Sequence, residues 1–273
     1  MKYKAALIQA DLPFGKRQEN LAKLERQIRD AAGQGACVVC LPESCDIGYD
    51  GGKIARMVKM SGTMEGETVS RMRKLACECH IFLILPLLLH SSDEVCRNAA
   101  VLISDEGEII GRYDKSHLID SEKGQLEAGN RYPVFETKYG RIGILICNDV
   151  NYPEAARILG IQDVDLLFLP AAWGYSEAVP HWWEVLIRAR AMENQFMAAA
   201  VNRVGRTEGG SFSGGTMFVG PDGMVRKKAG FSEECVLVEE VSLDGIRASK
   251  AAYGSLFYGR KPQEYGSLCR EID

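Results

Sequence analysis

Apolar and polar residues fall along this chain in short runs of two periods, and their succession predicts the secondary structure. Tyr3–Ala10 reads as a first strand. Over Arg17–Ala32 the apolar positions Leu21, Leu24, Ile28 and Ala31 recur at helical spacing, and Gly33 and Gly35 close the helix. Ala36–Leu41 is strand-like and Pro42-Glu43-Ser44 ends it. After a glycine-bearing loop, Val69, Met72, Leu75, Ala76 and Cys79 give Glu67–His80 one apolar helical face. Ile81–Leu89 and Asn98–Ser104 follow as strands, and the turn Asp105-Glu-Gly107 leads to another at Ile109–Tyr113. The polar, glycine-bearing stretch Asp114–Pro133 reads as an active-site loop rather than a linker.

In the second half, Val134–Thr137 and Arg141–Cys147 flank Lys138-Tyr-Gly140 as a hairpin. A short helix starts at Pro153, and Asp165–Leu169 is a strand. His181–Ala200 is the most regular helical pattern, with Trp182, Val185, Leu186, Ala189, Met192 and Phe196 on one face. Glu184 and Arg188 give it an i,i+4 ion pair. Later strands surround the turn Pro221-Asp-Gly223. Strands and helices alternate, but several strands adjoin directly. The prediction is therefore an α/β fold of mixed sheets with outer helices, not a purely parallel sheet. With no linker, repeat or low-complexity tract, residues 1–273 form one expected domain, with a C-terminal tail from about residue 248.

Composition narrows the function classes. The 273 residues are 46% hydrophobic and 26% charged, and the net charge of −4 comes from interspersed signs. No basic footprint for nucleic acid or for a membrane surface follows from that. The longest apolar run, Ile81–Leu89, is far short of the ~18 residues a membrane helix needs. The N-terminus turns acidic at Asp11, too soon for an export signal, so the expected location is the cytoplasm, where thiols stay reduced. The nine cysteines are an odd number, which argues against a full disulfide framework. Cys37 and Cys40 lie in an apolar run and read as small buried hydrophobes; Cys77, Cys79 and His80 lack the second ligand pair a structural zinc normally wants.

Cys147 differs from the other cysteines in its setting. It ends an apolar strand shortly before the helix that Pro153 opens, where backbone N–H groups polarise a substrate oxygen and a positive dipole end favours thiolate. A cysteine alone in such a run is more often core, and a lone Lys115 or Glu43 is more often solvated or capping. Three segments change that balance: Leu41-Pro-Glu-Ser44 presents Glu43, Arg112-Tyr-Asp-Lys-Ser-His117 presents Lys115, and Ile146-Cys-Asn-Asp149 presents Cys147. In this order, with Gly48-Tyr49, Tyr152-Pro-Glu154, Leu169-Pro-Ala-Ala-Trp173, Arg188–Gln195, Asn202-Arg203-Val-Gly205 and Ser213-Gly-Gly-Thr216, they resemble the nitrilase superfamily of carbon–nitrogen hydrolases across almost the whole chain.

That resemblance implies an α-β-β-α four-layer sandwich, often paired into a homodimer or larger assembly, and a Glu-Lys-Cys catalytic set without metal or organic cofactor. Glu43 would take the Cys147 proton and later activate water. Lys115, with the N–H following Cys147, would stabilise the oxyanion. Glu122 is a fourth catalytic candidate in the loop after Lys115, with Glu127 competing for the role. Tyr49, His117, Asn148 and Trp173 match positions near substrate, although His117 reads equally well as a loop tie and the two aromatics as packing. Arg188, Arg190 and Glu193 read as internal ion pairs or a subunit contact.

Asn148-Asp149 after the cysteine favours an amide over a nitrile, and Val150 and Asn151 stand where carboxylate-binding relatives tend to carry arginine. The expected substrate is a small aliphatic amide or N-carbamoyl amine, with water as co-substrate. The alternatives are a nitrilase or acyl transferase using the same residues, or a non-catalytic binding member.

Overall fold

In the computed structural model, which describes residues 1–91, 95–175 and 181–270, alternate residues of the central strands enter different cores. β1 (Lys2–Gln9), β2 (Ala36–Cys40), β3 (Phe82–His90), β4 (Cys96–Ile103) and β5 (Ile109–Asp114) lie in one sheet. Leu7, Cys40, Ile84 and Leu102 point inward to the core shared with a second sheet. Their neighbours Ile8, Val39, Leu83 and Val101 point outward to Leu21, Leu24 and Ile28 of α1 (Arg17–Gly33). A short helix, α2 (Ile54–Lys59), lies in the glycine-bearing loop, where none is predicted. The outer core is completed by Val69, Met72 and Leu75 of α3 (Glu67–Cys79). Because both faces of β3 are covered, its run Phe82–Leu89 is buried throughout.

The second sheet holds β6 (Val134–Thr137), β7 (Gly140–Ile144), β8 (Leu166–Pro170) and β9 (Met197–Val201). A small ribbon, β10 (Arg206–Thr207) with β11 (Gly210–Ser211), precedes its last strands β12 (Met217–Val219) and β13 (Val225–Lys228). β14 (Cys235–Ser242) returns to pair antiparallel with β1, so the orders are β14-β1-β2-β3-β4-β5 and β13-β12-β9-β8-β7-β6. α4 (Pro153–Ile161) and α5 (Trp182–Asn194) contribute Leu159, Ile187 and Ala191 to the second sheet's core. The result is the expected α-β-β-α sandwich.

Topology gathers the chemistry. β1, β2 and β3 are mutually parallel, as are β7, β8 and β9, so their C-terminal ends share an edge in each sheet. β4 runs back against β3 and β5 returns, which brings the end of β5 to that edge too. Glu43 follows β2, Lys115 follows β5 and Cys147 lies just past β7; Ala172 follows β8 and Asn202 follows β9.

Two expectations are corrected. The helix predicted to run to Ala200 stops at Asn194: Gln195 turns left-handed at φ 53, its amide donates to Met192 O and Pro221 O, and the buried run from Met197 becomes β9. The apolar face is also rotated. Trp183, Ile187 and Ala191 are buried, whereas Trp182, Val185 and Met192 are about half exposed, at 47, 58 and 52%. At the C-terminus, α6 spans Leu243–Ala252.

Candidate active site

Lys115 lies between two glutamates at the shared strand edge. Its Nζ is 2.9 Å from Glu43 Oε1 and 2.9 and 3.0 Å from the two Glu122 oxygens. All three residues are at most 1% exposed. Such a cluster persists only when the remaining lone pairs are satisfied. Glu43 Oε2 accepts the Ala172 N–H at 2.8 Å, Glu122 Oε2 accepts the Ile119 N–H at 3.0 Å, and Glu122 Oε1 accepts the Tyr49 hydroxyl at 3.1 Å. Burial pulls the Lys115 ammonium toward neutrality, but Glu43 and Glu122 outweigh it and hold its pKa well above the usual value. Glu127 is not part of this cluster; it pairs with Arg97 at the surface.

Asn98 is the functional candidate that sequence reasoning missed. Its Nδ2 donates to Glu43 Oε1 at 2.7 Å and to Glu122 Oε1 at 3.2 Å, bridging the two carboxylates from within β4. An amide that donates to both lowers the cost of holding like charges together. The available signal was an asparagine at the head of the apolar run Ala99-Ala-Val-Leu-Ile103.

Cys147 opens a 3-10 turn over Cys147–Asn151 and takes a left-handed φ of 47°. Asp149, fully buried, holds this bend. Its carboxylate accepts the Ile146 N–H at 2.9 Å, the Tyr113 hydroxyl at 2.7 Å and the His117 N–H at 2.9 Å. It therefore ties the segment carrying Lys115 to the segment carrying Cys147. The expected thiolate is not what this setting favours. Burial pushes the Cys147 thiol well above its usual pKa and Glu43 adds to the shift, while Lys115 and the Ala172 N–H oppose it. This setting favours the thiol over the thiolate.

The remaining candidates lie around this centre. His117 Nδ1 is 2.8 Å from Asp149 Oδ1, and its ring stacks on Tyr152 at 3.7 Å, which is the loop-tie arrangement. Asn148 Nδ2 donates to His117 O, and its Oδ1 accepts from Asn151, so its amide spans the same two segments. Trp173 donates its N–H to Asn202 Oδ1 at 2.8 Å and packs on Trp183. Gly48 places Tyr49: at φ +71 a Cβ there would lie 2.3 Å from Leu12 O. Arg190 pairs with Glu193 and donates to Val150 O, as an internal contact. Among the described residues, no cluster of three His, Cys, Asp or Glu is disposed to hold a metal ion.

Comparison with known proteins places these features in context. Residues 4–251 match the family model of carbon-nitrogen hydrolases. The chain is 31% identical over 258 residues to a "probable nitrilase" of Schizosaccharomyces pombe, covering 92% of this chain and 93% of that one. It is 31% identical to the N-carbamoylputrescine amidase of Arabidopsis thaliana, covering 91% and 89%. A solved carbon-nitrogen hydrolase from Helicobacter pylori G27 superposes with a TM-score of 0.93 over both whole chains, at 24% identity. The amidase from Nesterenkonia sp. AN1 in complex with butyramide superposes at 0.78, with 26% identity over 93% of this chain and 97% of that one.

Two outcomes follow from the geometry. Asn98→Ala should lower kcat/KM by about 10- to 100-fold, the scale of a lost hydrogen bond to a charged group. Asn98→Asp should be worse, since it adds a third carboxylate; steady-state kinetics checked against circular dichroism would test both, and a milder Asp variant would refute the bridging role. Alkylation of Cys147 by iodoacetamide should climb with pH through and beyond the ordinary thiol range. Glu43→Gln removes a cause that raises the pKa, so the climb moves to lower pH; Lys115→Met removes an opposing cause and moves it higher. Mass-spectrometric labelling across roughly pH 6 to 10 reads both shifts, and movement in one common direction would contradict the assignment.

Proposed function

Because this chain belongs to the carbon-nitrogen hydrolase family, we propose that it hydrolyses the C–N bond of a small aliphatic amide or N-carbamoyl amine through an acyl-thioester on Cys147. The observation that carries this reading is the buried Glu43–Lys115–Glu122 cluster at the strand edge where Cys147 bends. Glu43 removes the thiol proton as sulfur attacks the carbonyl carbon, so the thiolate need not exist beforehand. Lys115 has three N–H donors. One directed at Glu43 and one shared by the Glu122 oxygens leave the third for the developing oxyanion, beside the N–H of Asn148 at the start of the 3-10 turn. As the tetrahedral intermediate collapses, Glu43 returns the proton to the leaving nitrogen. Water, deprotonated by the same carboxylate, then cleaves the thioester and releases the acid.

Charge narrows the substrate. With its carboxylates and ammonium ionised, the cluster carries an excess negative charge, which disfavours a carboxylate next to the scissile bond. The arginines packed nearby are committed to backbone carbonyls: Arg190 to Val150 O, and Arg203 to Leu12 O and Tyr49 O. An uncharged aliphatic amide such as the butyramide bound by the Nesterenkonia amidase fits this balance, as does a carbamoyl group.

The outer faces of α4 and α5 expose Ile158, Ile161, Trp182, Val185 and Met192, and a second copy of this chain is the proposed cover for them.

Ammonia release from a panel of aliphatic amides, N-carbamoyl amines, ω-amides and nitriles should show turnover of the first two classes and its loss in Cys147→Ala. Turnover of nitriles alone, or activity that survives Cys147→Ala, would overturn the reading. Light scattering should give a mass well above the 30.1 kDa of one chain; a clean monomer would remove the pairing.

A further inference from the structure

Ser213-Gly-Gly-Thr216 has no part in the chemistry above, yet its backbone forms the floor of a cavity. Among the described residues, about 290 Å³ of space lies over Ser213 and Gly214, walled by Tyr175, His181, Trp183 and Phe231. Gly214 and Gly215 are both left-handed, at φ +53 and +69. A Cβ on Gly214 would lie 2.8 Å from Phe231 O, and one on Gly215 would lie 3.5 Å from the Phe231 ring. The paired glycines therefore let the Phe231 segment settle directly on this floor. Trp183 is fixed opposite, its Nε1 donating to Gly215 O at 3.1 Å.

Two contacts join this cavity to Trp173, the residue after Ala172. The rings of Trp173 and Trp183 are 5.2 Å apart. Asn202, fully buried, accepts the Trp173 N–H and donates to Ser213 Oγ at 3.1 Å and Gly214 O at 2.9 Å. Trp173 follows Ala172, whose N–H holds Glu43. One buried amide thus sets both Trp173, next in sequence to the residue that holds Glu43, and the floor of the cavity.

The charges at its rim argue against a charged occupant. Glu184 is held by Lys228 at 2.7 Å and Arg188 at 3.6 Å, so it offers little to an incoming ammonium. Lys228, 4.7 Å over the Phe231 ring, would repel that ammonium and is already paired against an incoming anion. What remains is aromatic surface of a size that suits a short chain or a single ring.

We propose that this cavity is the tail subsite of the hydrolase: it takes the uncharged alkyl or aryl end of a substrate whose amide carbon lies at Cys147. This rests on the C–N hydrolase reading above and adds the class of side chain that the substrate carries.

The test compares kcat/KM for acetamide, butyramide, hexanamide and phenylbutanamide, together with hexanamides bearing an ω-ammonium or an ω-carboxylate. The neutral series should improve with tail size, mainly through KM, and the charged tails should be poorer than hexanamide. Phe231→Ala should lower the hexanamide-to-acetamide ratio about tenfold, the scale of discrimination one or two methylenes supply in an apolar pocket, and Phe231→Tyr should restore it. If acetamide and hexanamide are both hydrolysed but the ratio is the same in Phe231→Ala, the subsite is overturned and the hydrolase reading stands. A charged tail preferred over hexanamide overturns the assigned class. Phe231→Ala slowing all substrates alike while lowering the mass in light scattering assigns the face to a subunit contact and also overturns the subsite. If no substrate of the series is turned over and none leaves an acyl adduct on Cys147, the hydrolase reading fails and the subsite with it.

Discussion

A lysine held between two carboxylates out of reach of water is the constraint on which the rest of this structure depends. Removing one partner from a buried ion pair costs about 3–5 kcal/mol, because the other is left uncompensated. Here the arrangement is more demanding, since two glutamates share one ammonium. The donors that make it tolerable come from separate parts of the chain: Asn98 in β4, Tyr49 and Ile119 in loops, and the Ala172 N–H past β8. The Ala172 contact crosses from one sheet to the other. The ionic cluster is thus also a fastening between the two halves of the sandwich.

A second fastening lies alongside it. Arg203 is fully buried, donates to Leu12 O at 2.6 Å and Tyr49 O at 3.2 Å, and stacks over the Phe212 ring at 4.1 Å. Burial lowers its pKa to about 10, against the pull of Asp11. A guanidinium stays charged in such a place, where an ammonium would be prone to lose its proton. Through it, the end of β9 holds the loop that carries Tyr49, and Tyr49 in turn holds Glu122. Next to it, Asn202 sets Trp173. The Asn202-Arg203 pair therefore acts on both sides of the site without touching the reacting atoms.

Much of this was legible in the amino-acid sequence, for identifiable reasons. Short apolar runs mark β1 to β4, so the strands could be read locally, whereas the four layers were implied by the family resemblance. Glu43 and Lys115 were found because each stands in a motif at a strand end, and Glu122 because the loop after Lys115 resembles that of the family; their ion pairs bring the three together. Asn98 was not found, because its partners lie 55 and 24 residues away and nothing local marks it except its polarity. The error in α5 has a different source. Apolar residues lie all round that helix, so periodicity alone could not tell the face turned to the core from the one turned outward. Nor could it see Gln195, whose left-handed turn is settled by the backbone carbonyls that receive its amide. Burial and the Glu43 charge both raise the pKa of the Cys147 thiol, and neither can be read from the local sequence.

The left-handed backbone at Cys147 has one more consequence. For an L residue other than glycine, asparagine or aspartate, that conformation costs roughly 1–2 kcal/mol. The bend is held by Asp149, whose carboxylate accepts the Ile146 N–H just before it. Glycine or asparagine would take the same bend with less strain. At this position, a sturdier fold and the proposed nucleophile call for different amino acids. The strain at residue 147 is thus the local cost of keeping a thiol at the end of this strand rather than a residue suited to the bend.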